Sequence, residues 1–157
     1  MGFSSGVESL DNWLHSQAQR AHKAGICAVT VWVESETSRF CGYYAIAPTH
    51  AQRIPDSLSR SLSGGFSTVP AYRIARLAVA SQLQRKGIGK QLLLDAVKTV
   101  IHASENAGGR LIIIDLVNEE VAKWYDRLGF AASADGSQAP APRYMTIADA
   151  KQSISGS

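Results

Sequence analysis

The segment Gln84–Lys90, which combines glycines with positive charges, contains the residue types that hold a pyrophosphate. Gly87 and Gly89 let the backbone approach a ligand closely. A helix that begins here presents unpaired N–H groups and the positive end of its dipole, and both favour a phosphate. Three side chains add positive charge at the same place: Arg85, Lys86 and Lys90. A tight strand-to-helix turn with solvated lysines would use the same residues, so both interpretations stay open at this point.

Other common ligand sites do not fit the sequence. The chain has no Gly-x-x-x-x-Gly-Lys-Ser/Thr motif, and the third glycine of the dinucleotide fingerprint is missing. Cys27 and Cys41 do not form a CxxC pair, and His15 and His22 lack a third ligand, so we expect free thiols and no metal. A pyrophosphate bound at Gln84–Lys90 would therefore belong to another kind of carrier.

Length and composition indicate the class of protein. The chain has 157 residues, of which 45% are hydrophobic and 18% charged, with a formal net charge of +3. These values predict one globular domain over residues 1–157 and exclude a disordered chain or a disulfide-rich mini-protein. No apolar run approaches the ~20 residues of a membrane span, and Met1–Ser5 lacks the features of a signal peptide. We therefore expect a cytoplasmic protein without a membrane partner, whose charge permits an anionic one.

The first third of the chain predicts a helix followed by a hairpin. Ser5 and Glu8 have capping-box spacing, and apolar residues then recur at helical steps until Gly25. Ala28–Val33 and Phe40–Ile46 predict two antiparallel strands joined by a polar turn. The long polar stretch 48–70 is expected to have a function or a short helix of its own.

The remaining elements predict an α/β fold. A strand over Tyr72–Val79, a helix from Ile88 to about Gly108 and an apolar strand over Leu111–Val117 form a parallel crossover inside a mixed sheet. A short helix over Glu119–Leu128 and a last strand over Tyr144–Ile147 complete the prediction.

Two motifs together resemble the GNAT superfamily of acyl-CoA-dependent N-acetyltransferases: Gln84-x-x-Gly87-x-Gly89 after a strand, and Asn118 followed by Trp124-Tyr125-x-x-x-Gly129-Phe130. The resemblance implies the GNAT fold, a mixed central sheet with a splayed parallel strand pair and flanking helices. It also implies acetyl-CoA as cosubstrate, with pantetheine against Leu77, Ala78 and Val79, where an N–H could stabilise the oxyanion. The other implied cofactor-binding residues are Gln84, Arg85, Lys86, Gly87, Ile88, Gly89, Lys90 and Asn118.

A narrower resemblance covers nearly the whole chain. Three further motifs look like those of the TacT-like acetyltransferase toxins of bacterial toxin–antitoxin modules: Ser5-Gly6-x-x-x-Leu10-Asp11-x-Trp13-Leu14, Gly42-Tyr43-Tyr44 and Arg76-Leu77-Ala78-Val79. This resemblance implies acetylation of aminoacyl-tRNA, arrest of translation, a ribbon-helix-helix antitoxin and a homodimer. Such proteins also have a strand before the first helix. Because few residues precede Ser5, we expect that strand to be shortened or absent, or else residues before Met1 to be missing from this sequence.

Tyr125 occupies the position where the family has its general acid. When the tetrahedral intermediate collapses, it expels a thiolate whose conjugate acid has a pKa of about 8.5, and a phenol with a pKa near 10 can donate a proton to it. The alternative is that Tyr125 only packs beside Trp124 on its helix.

The strand before the glycine turn lacks a catalytic base. Arg73–Leu77 contains no carboxylate, whereas many acetyltransferases have a Glu on this strand. An α-amine has a pKa of about 8, and an adjacent ester lowers it further, so an aminoacyl ester suits a site without a base. A water relayed to Asp115 or Glu119 is the alternative.

Arg73 and Arg76 are the predicted tRNA-binding residues, because phosphate contacts from arginines would hold tRNA without reading its sequence. A solvated basic face is the alternative interpretation. Two other functions stay open: acetylation of a small-molecule or protein amine, and a non-catalytic GNAT-like binding module. The basic residues and the missing base argue against the first, and the presence of Tyr125 and the glycine turn argues against the second.

Overall fold

The computed structural model describes residues 2–116, 119–132 and 142–155. Its elements follow in chain order: α1 (Glu8–Ser16), α2 (Ala18–Lys23), β1 (Ala28–Val33), β2 (Phe40–Gln52), α3 (Arg53–Asp56), α4 (Arg60–Ser63), β3 (Thr68–Val79), a 3-10 turn (Ser81–Leu83), α5 (Ile88–Ala107), β4 (Leu111–Ile114), α6 (Glu119–Arg127), β5 (Ala131–Ala132), β6 (Arg143–Thr146) and α7 (Ile147–Ser155). Within these residues, no helix is long and apolar enough to cross a membrane.

The strands form one mixed sheet in the order β1-β2-β3-β4-β6-β5. β3 and β4 are parallel, whereas β6 pairs antiparallel with both β4 and β5. The predicted α/β class and the parallel crossover through α5 are therefore confirmed. The chain divides into two compact units, one of Met1–Ala47 with Ile74–Ala96, and one of Pro48–Arg73 with Val97–Ser157. A single domain over residues 1–157 stays a prediction.

The first unit is built around the β1–β2 hairpin. The predicted pairing is confirmed, with Ala28 opposite Ile46 and Val31 opposite Tyr43. Its core contains five buried residues from the N-terminal segment, α1 and the strands: Phe3, Leu10, Tyr43, Ala78 and Ala80. Tyr43 has no exposed surface, and its hydroxyl donates a hydrogen bond of 2.7 Å to the carbonyl oxygen of Leu10. This bond allows a phenol to be buried, because a polar group inside a protein needs a partner.

The predicted capping box at Ser5 and Glu8 is wrong. The residue before α1 is Val7, which makes no side-chain cap. The Ser5 hydroxyl instead donates to Asp11 Oδ1 at 2.7 Å, and the Ser5 N–H also donates to this carboxylate. Asp11 offers a charged acceptor, which makes a stronger hydrogen bond than a neutral one. The predicted single helix is also two helices, because Gln17 leaves helical geometry between α1 and α2.

The second unit has its core around β4. All four residues Leu111–Ile114 are at most 1% exposed, as the apolar run predicts for a strand covered on both faces. The two short helices α3 and α4 fall in the stretch 48–70 and confirm the expected local helix. The strands on either side are longer than predicted, since β2 continues to Gln52 and β3 begins at Thr68. Burial explains this extension, because Ala51 and Val69 belong to the core of this unit.

The C-terminal helix α7 was not predicted. It follows β6 directly, and the Thr146 hydroxyl accepts a hydrogen bond of 3.1 Å from the Asp149 N–H. This is the geometry of a helix N-cap, and Asp149 in the first turn faces the positive end of the dipole. The helical spacing of Ile147, Ala150 and Ile154 is the sequence signal that would have indicated it.

Gly42 is required by the close approach of β2 to β3. A Cβ atom there would lie 2.8 Å from the backbone oxygen of Ala78 and 3.1 Å from Leu92 Cδ2. We expect Gly42→Ala to lower the free energy of unfolding by about 2–3 kcal/mol, because a backbone atom cannot move aside cheaply. Urea denaturation checks this, with Gly2→Ala as a control because no atom lies within 4 Å of its added Cβ. Equal midpoints for the two variants would contradict the packing described.

Candidate active site

The predicted pyrophosphate turn follows the end of β3 in the first unit. The Gln84 side chain stabilises the first half of this turn. Its Nε2 donates to the backbone oxygen of Ser5 at 2.6 Å and to that of Val79 at 2.9 Å. The amide of Gln84 thus joins the N-terminal segment to the end of β3. A direct contact of Gln84 with a cofactor stays a prediction.

The second half of the turn has a left-handed backbone at two residues. Gly87 has φ +84° and Arg85 has φ +63°. Gly87 lies just before α5, and its carbonyl accepts from the Gln91 N–H at 3.2 Å, so the first amides of a 20-residue helix follow it directly. Arg85, Lys86 and Lys90 are exposed around this helix start, whereas Ile88 and Gly89 are half-buried. Free N–H groups, the helix dipole and three cations are features that favour an anionic pyrophosphate, and its binding here stays a prediction.

The predicted pantetheine strand lies in the same unit. Leu77 is half-buried, and Ala78 and Val79 are buried at the end of β3. The structure therefore places the predicted cofactor residues of β3 and of the turn on consecutive elements of one compact unit. Asn118, the remaining predicted cofactor residue, lies outside the described residues.

Gly87 offers a direct test of the pyrophosphate site. Gly87→Ala is expected to weaken acetyl-CoA binding at least tenfold, because a Cβ disfavours the left-handed backbone and displaces the amides that follow. Gly25→Ala is a matched control, since Gly25 also has a positive φ and both positions lack atoms within 4 Å of the added Cβ. Both variants should lose about 1–2 kcal/mol of stability from the backbone strain. Calorimetric titration with acetyl-CoA separates them, and equal affinity losses would argue against a site at Gly87.

Tyr125 lies in the second unit, in the last turn of α6. Its side chain is only 3% exposed and packs against Trp124 and Phe130, with ring centroids 5.0 and 6.0 Å apart. No described residue is hydrogen-bonded to its hydroxyl. Burial raises the pKa of Tyr125 well above the ordinary value of 10, so the phenol is protonated at neutral pH. The ring is packed as the structural alternative expects, and the hydroxyl is in the proton-donor state that an acid needs.

The turn after α6 fixes the position of Tyr125. The Tyr125 carbonyl accepts from the N–H groups of Leu128 and Phe130, at 3.0 and 3.2 Å. Gly129 has φ +99°, a backbone conformation that glycine adopts readily at the end of a helix. Phe130 then packs against the tyrosine ring and is itself buried.

Arg73 is paired with Asp115 inside the second unit. The guanidinium Nη1 contacts Asp115 Oδ1, and the two side chains are 35% and 36% exposed. From the sequence, these residues have separate predicted roles, Arg73 as a tRNA contact and Asp115 as an alternative route to a catalytic base. In the structure they form one ion pair between the middle of β3 and the residue that follows β4, and no local sequence pattern indicates it.

Arg76 lies over an aromatic pair in the first unit. Its Cζ atom is 4.5 Å from the centroid of the Trp13 ring, and Trp13 in turn stacks on Tyr43. Burial raises the pKa of Tyr43 to about 12, although the charge of Arg76 acts in the opposite direction. The phenol is therefore neutral, and the cation–π contact holds the Arg76 guanidinium in one place. Neither Trp13 nor Tyr43 has a role at this site in the prediction from sequence.

Comparison with known proteins identifies the family. Residues 27–132 match the acetyltransferase (GNAT) domain, over more than half of the chain. The chain belongs to the GNAT acetyltransferase family. The acetyltransferase is also 31% identical to the tRNA-acetylating toxin of Mycobacterium tuberculosis over 134 residues, which are 83% of this chain and 77% of that protein. In the described part of the acetyltransferase, no three His, Cys, Asp or Glu side chains form a group that could hold a metal ion.

Solved structures share the fold of this acetyltransferase. A mutant of KacT superposes with a TM-score of 0.87 and 24% identity, over 97% of this chain and 89% of that one. AtaT complexed with acetyl-methionyl-tRNAfMet superposes with a TM-score of 0.84 and 22% identity, over 97% of this chain and 89% of that one. A mutant of the AtaT toxin bound to the C-terminus of the antitoxin AtaR and acetyl-CoA has a TM-score of 0.82 and 20% identity. The match covers 97% of this chain and 88% of that one. The predicted GNAT fold is therefore confirmed.

Proposed function

We propose that this acetyltransferase transfers the acetyl group of acetyl-CoA to the α-amine of aminoacyl-tRNA and thereby blocks translation. The observation that carries the proposal is the 31% identity with a tRNA-acetylating toxin, which extends over most of both chains. The left-handed turn at Gly87 and the start of α5 support acetyl-CoA as the cosubstrate, because they offer amides and cations to a pyrophosphate. Arg76, held over Trp13, supports an anionic acceptor.

The reaction is a direct displacement at a thioester. The substrate nitrogen attacks the carbonyl carbon, the C–S bond breaks, and the sulfur leaves with a proton while the new amide loses one. The resemblance assigns the carbonyl oxygen to an N–H near Leu77–Val79 and the sulfur to Tyr125. The Tyr125 phenol is neutral at the pH of the reaction, so it has a proton to donate or share with the leaving sulfur.

The acceptor amine needs no base from the enzyme. Arg73–Leu77 carries no carboxylate, and Asp115 is already in an ion pair with Arg73. The α-amine of an aminoacyl ester has a pKa below about 8, so a useful fraction is neutral near pH 7. The same argument disfavours a lysine side chain, whose pKa is about 10.4, as the natural acceptor.

The pH dependence of the rate tests this assignment. Between pH 5.5 and 9, kcat/KM for charged tRNA is expected to rise and level off at the pKa of the substrate amine. Because burial raises the pKa of Tyr125 above 10, its ionisation should cause no fall in rate within this range. Asp115→Asn and Glu119→Gln should leave the midpoint unchanged. A midpoint that moves in either variant would identify an enzyme base and contradict the proposal.

The partners and compartment follow from the proposed substrate. Charged tRNA is used in the cytoplasm, so we infer that the protein acts there. The family resemblance supports a ribbon-helix-helix antitoxin as a protein partner and a homodimer as the assembly, and AtaT has been solved with part of its antitoxin. Copurification with the product of an adjacent small gene, followed by light scattering, tests both.

Translation in vitro tests the biological outcome. Wild-type protein with acetyl-CoA should stop synthesis of a reporter, and omission of acetyl-CoA should restore it. Full synthesis in the presence of both would contradict the toxin assignment. Acetyl transfer to a polyamine or a protein lysine without loss of synthesis would instead support the small-molecule or protein acceptor.

A further inference from the structure

The first unit contains a cavity beside β3, the strand that the family resemblance assigns to pantetheine. It has a volume of about 500 Å³ and is bounded by α1, α2, the segment before β1, and the strands β2 and β3. Most of its lining is apolar, and five of its eleven lining residues are alanines: Ala21, Ala24, Ala45, Ala47 and Ala75. This volume lies in the range of small-molecule sites and exceeds that of any single amino-acid side chain.

Two arginines give the cavity a single sign of charge. Arg20 and Arg76 line it, and none of its eleven lining residues is Asp or Glu. The ion pairs found in the described residues involve other arginines. Arg76 is held by its contact with Trp13, which also lines the cavity. A cationic ligand in the cavity would therefore lie near two guanidinium groups, and no carboxylate of the lining would compensate their charge.

The cavity is continuous with the strand that the family uses for pantetheine. Ala75 and Arg76 line the cavity, and Leu77–Val79 follow immediately on β3 in the same compact unit. A group in the cavity would thus lie beside the strand on which the acyl donor is proposed to bind. An acceptor amine is required at that location.

We infer that this cavity receives the aminoacyl group of the charged tRNA and selects it by charge, admitting uncharged side chains and rejecting cationic ones. The inference rests on the proposed function and adds the class of amino acid to it. The apolar alanine lining accepts aliphatic side chains, and the arginines can contact the phosphate of the terminal nucleotide. Lysyl and arginyl groups are disfavoured because their charge would lie beside two like charges.

One tRNA charged with two amino acids tests the selection. Norleucine and lysine have similar aliphatic stems, and only lysine has a terminal ammonium. With the same tRNA body, α-acetylation of the norleucyl form is expected to have a kcat/KM at least tenfold above that of the lysyl form. Equal values would overturn the inference and leave the proposed function standing. No acetylation of either form would overturn both.

Charge reversal in the lining gives a sharper test. Arg20→Glu should reduce the norleucine-to-lysine ratio at least fivefold, because it places a carboxylate beside the cationic ligand. Lys23→Glu is the matched control, since it makes the same charge change on α2 but does not line this cavity. Each variant can weaken tRNA binding in general, and the ratio is insensitive to that effect. A ratio that shifts equally in both variants would overturn the inference.

Cys27 allows the location to be tested without catalysis. Its thiol lines the cavity, whereas the Cys41 thiol does not, and both residues are half-buried. Burial raises the pKa of the Cys27 thiol, with Arg76 acting in the opposite direction, so a methanethiosulfonate should be applied at pH 8.5. A norleucyl-amide analogue of the terminal adenosine should slow modification of Cys27 at least fivefold and leave Cys41 unchanged. Unprotected Cys27 at a saturating analogue concentration would place the aminoacyl group elsewhere and overturn the inference.

Discussion

Replacement of Tyr125 by phenylalanine is expected to lower kcat for acetyl transfer about 10²–10⁴-fold, the usual contribution of a general acid. The substitution removes one oxygen and keeps the ring, so the contacts with Trp124 and Phe130 should persist. The affinity for acetyl-CoA and the thermal midpoint should therefore change little. Single-turnover rates with charged tRNA, measured beside acetyl-CoA titrations, check the expectation.

A matched control separates chemistry from structure. Tyr72→Phe also removes a phenolic hydroxyl from the second unit, where it donates to the Gly108 carbonyl at 3.0 Å. That change should cost about 0.5–1.5 kcal/mol of stability and leave the rate of acetyl transfer unchanged. If kcat for acetyl transfer by the Tyr125→Phe enzyme lies within threefold of the wild-type value, Tyr125 only packs beside its neighbours.

Replacement of Arg76 by alanine is expected to lower kcat/KM for charged tRNA by about 10–100-fold, the effect of removing one or two charge-assisted hydrogen bonds to phosphate. The slope of log kcat/KM against log salt concentration should become shallower by about one for each phosphate that is no longer neutralised. Acetyl-CoA affinity should stay the same. Arg76→Lys keeps the charge but cannot lie flat over Trp13 as a guanidinium does, so we expect an intermediate value.

The matched control for Arg76, which is half-buried, is an exposed arginine of the first unit. Arg39→Ala removes the same charge from the β1–β2 turn and should change the salt slope little. Arg73→Ala has to be read together with Asp115→Asn, because each variant removes one half of their ion pair. If the Arg76 and Arg73 variants acetylate charged tRNA with wild-type rates and salt dependence, the proposed tRNA contact is wrong.

The sequence predicts the elements whose patterns are local. The β-branched run of β1, the apolar stripe of α5 and the buried run of β4 identify these elements, because each pattern is set by neighbouring residues. The extension of β2 and β3 depends on burial of Ala51 and Val69 against residues distant in sequence, which no local pattern contains. The Ser5 hydroxyl likewise donates to Asp11 instead of forming the predicted helix cap, and the spacing rule for caps does not anticipate this hydrogen bond.

In the candidate site too, local patterns could be predicted from the sequence and contacts between distant residues could not. The glycine turn and the Trp124-Tyr125 motif are contiguous, so their local structure could be predicted, and their roles stay predictions. The partners of the two predicted tRNA-binding arginines come from distant parts of the chain, Trp13 for Arg76 and Asp115 for Arg73. Tertiary contacts decide whether an arginine is held for a ligand or neutralised, and the sequence alone does not reveal them.

The central claim is that the acetyl acceptor is the α-amine of an amino acid esterified to tRNA. Charged tRNA should be incubated with the protein and isotope-labelled acetyl-CoA, after which the amino acid is released with mild alkali and analysed by mass spectrometry. We expect a labelled N-acetyl amino acid, and no label in uncharged tRNA or with the Tyr125→Phe enzyme. Label on a nucleotide, or a free amino acid without label while another amine becomes acetylated, would contradict the claim.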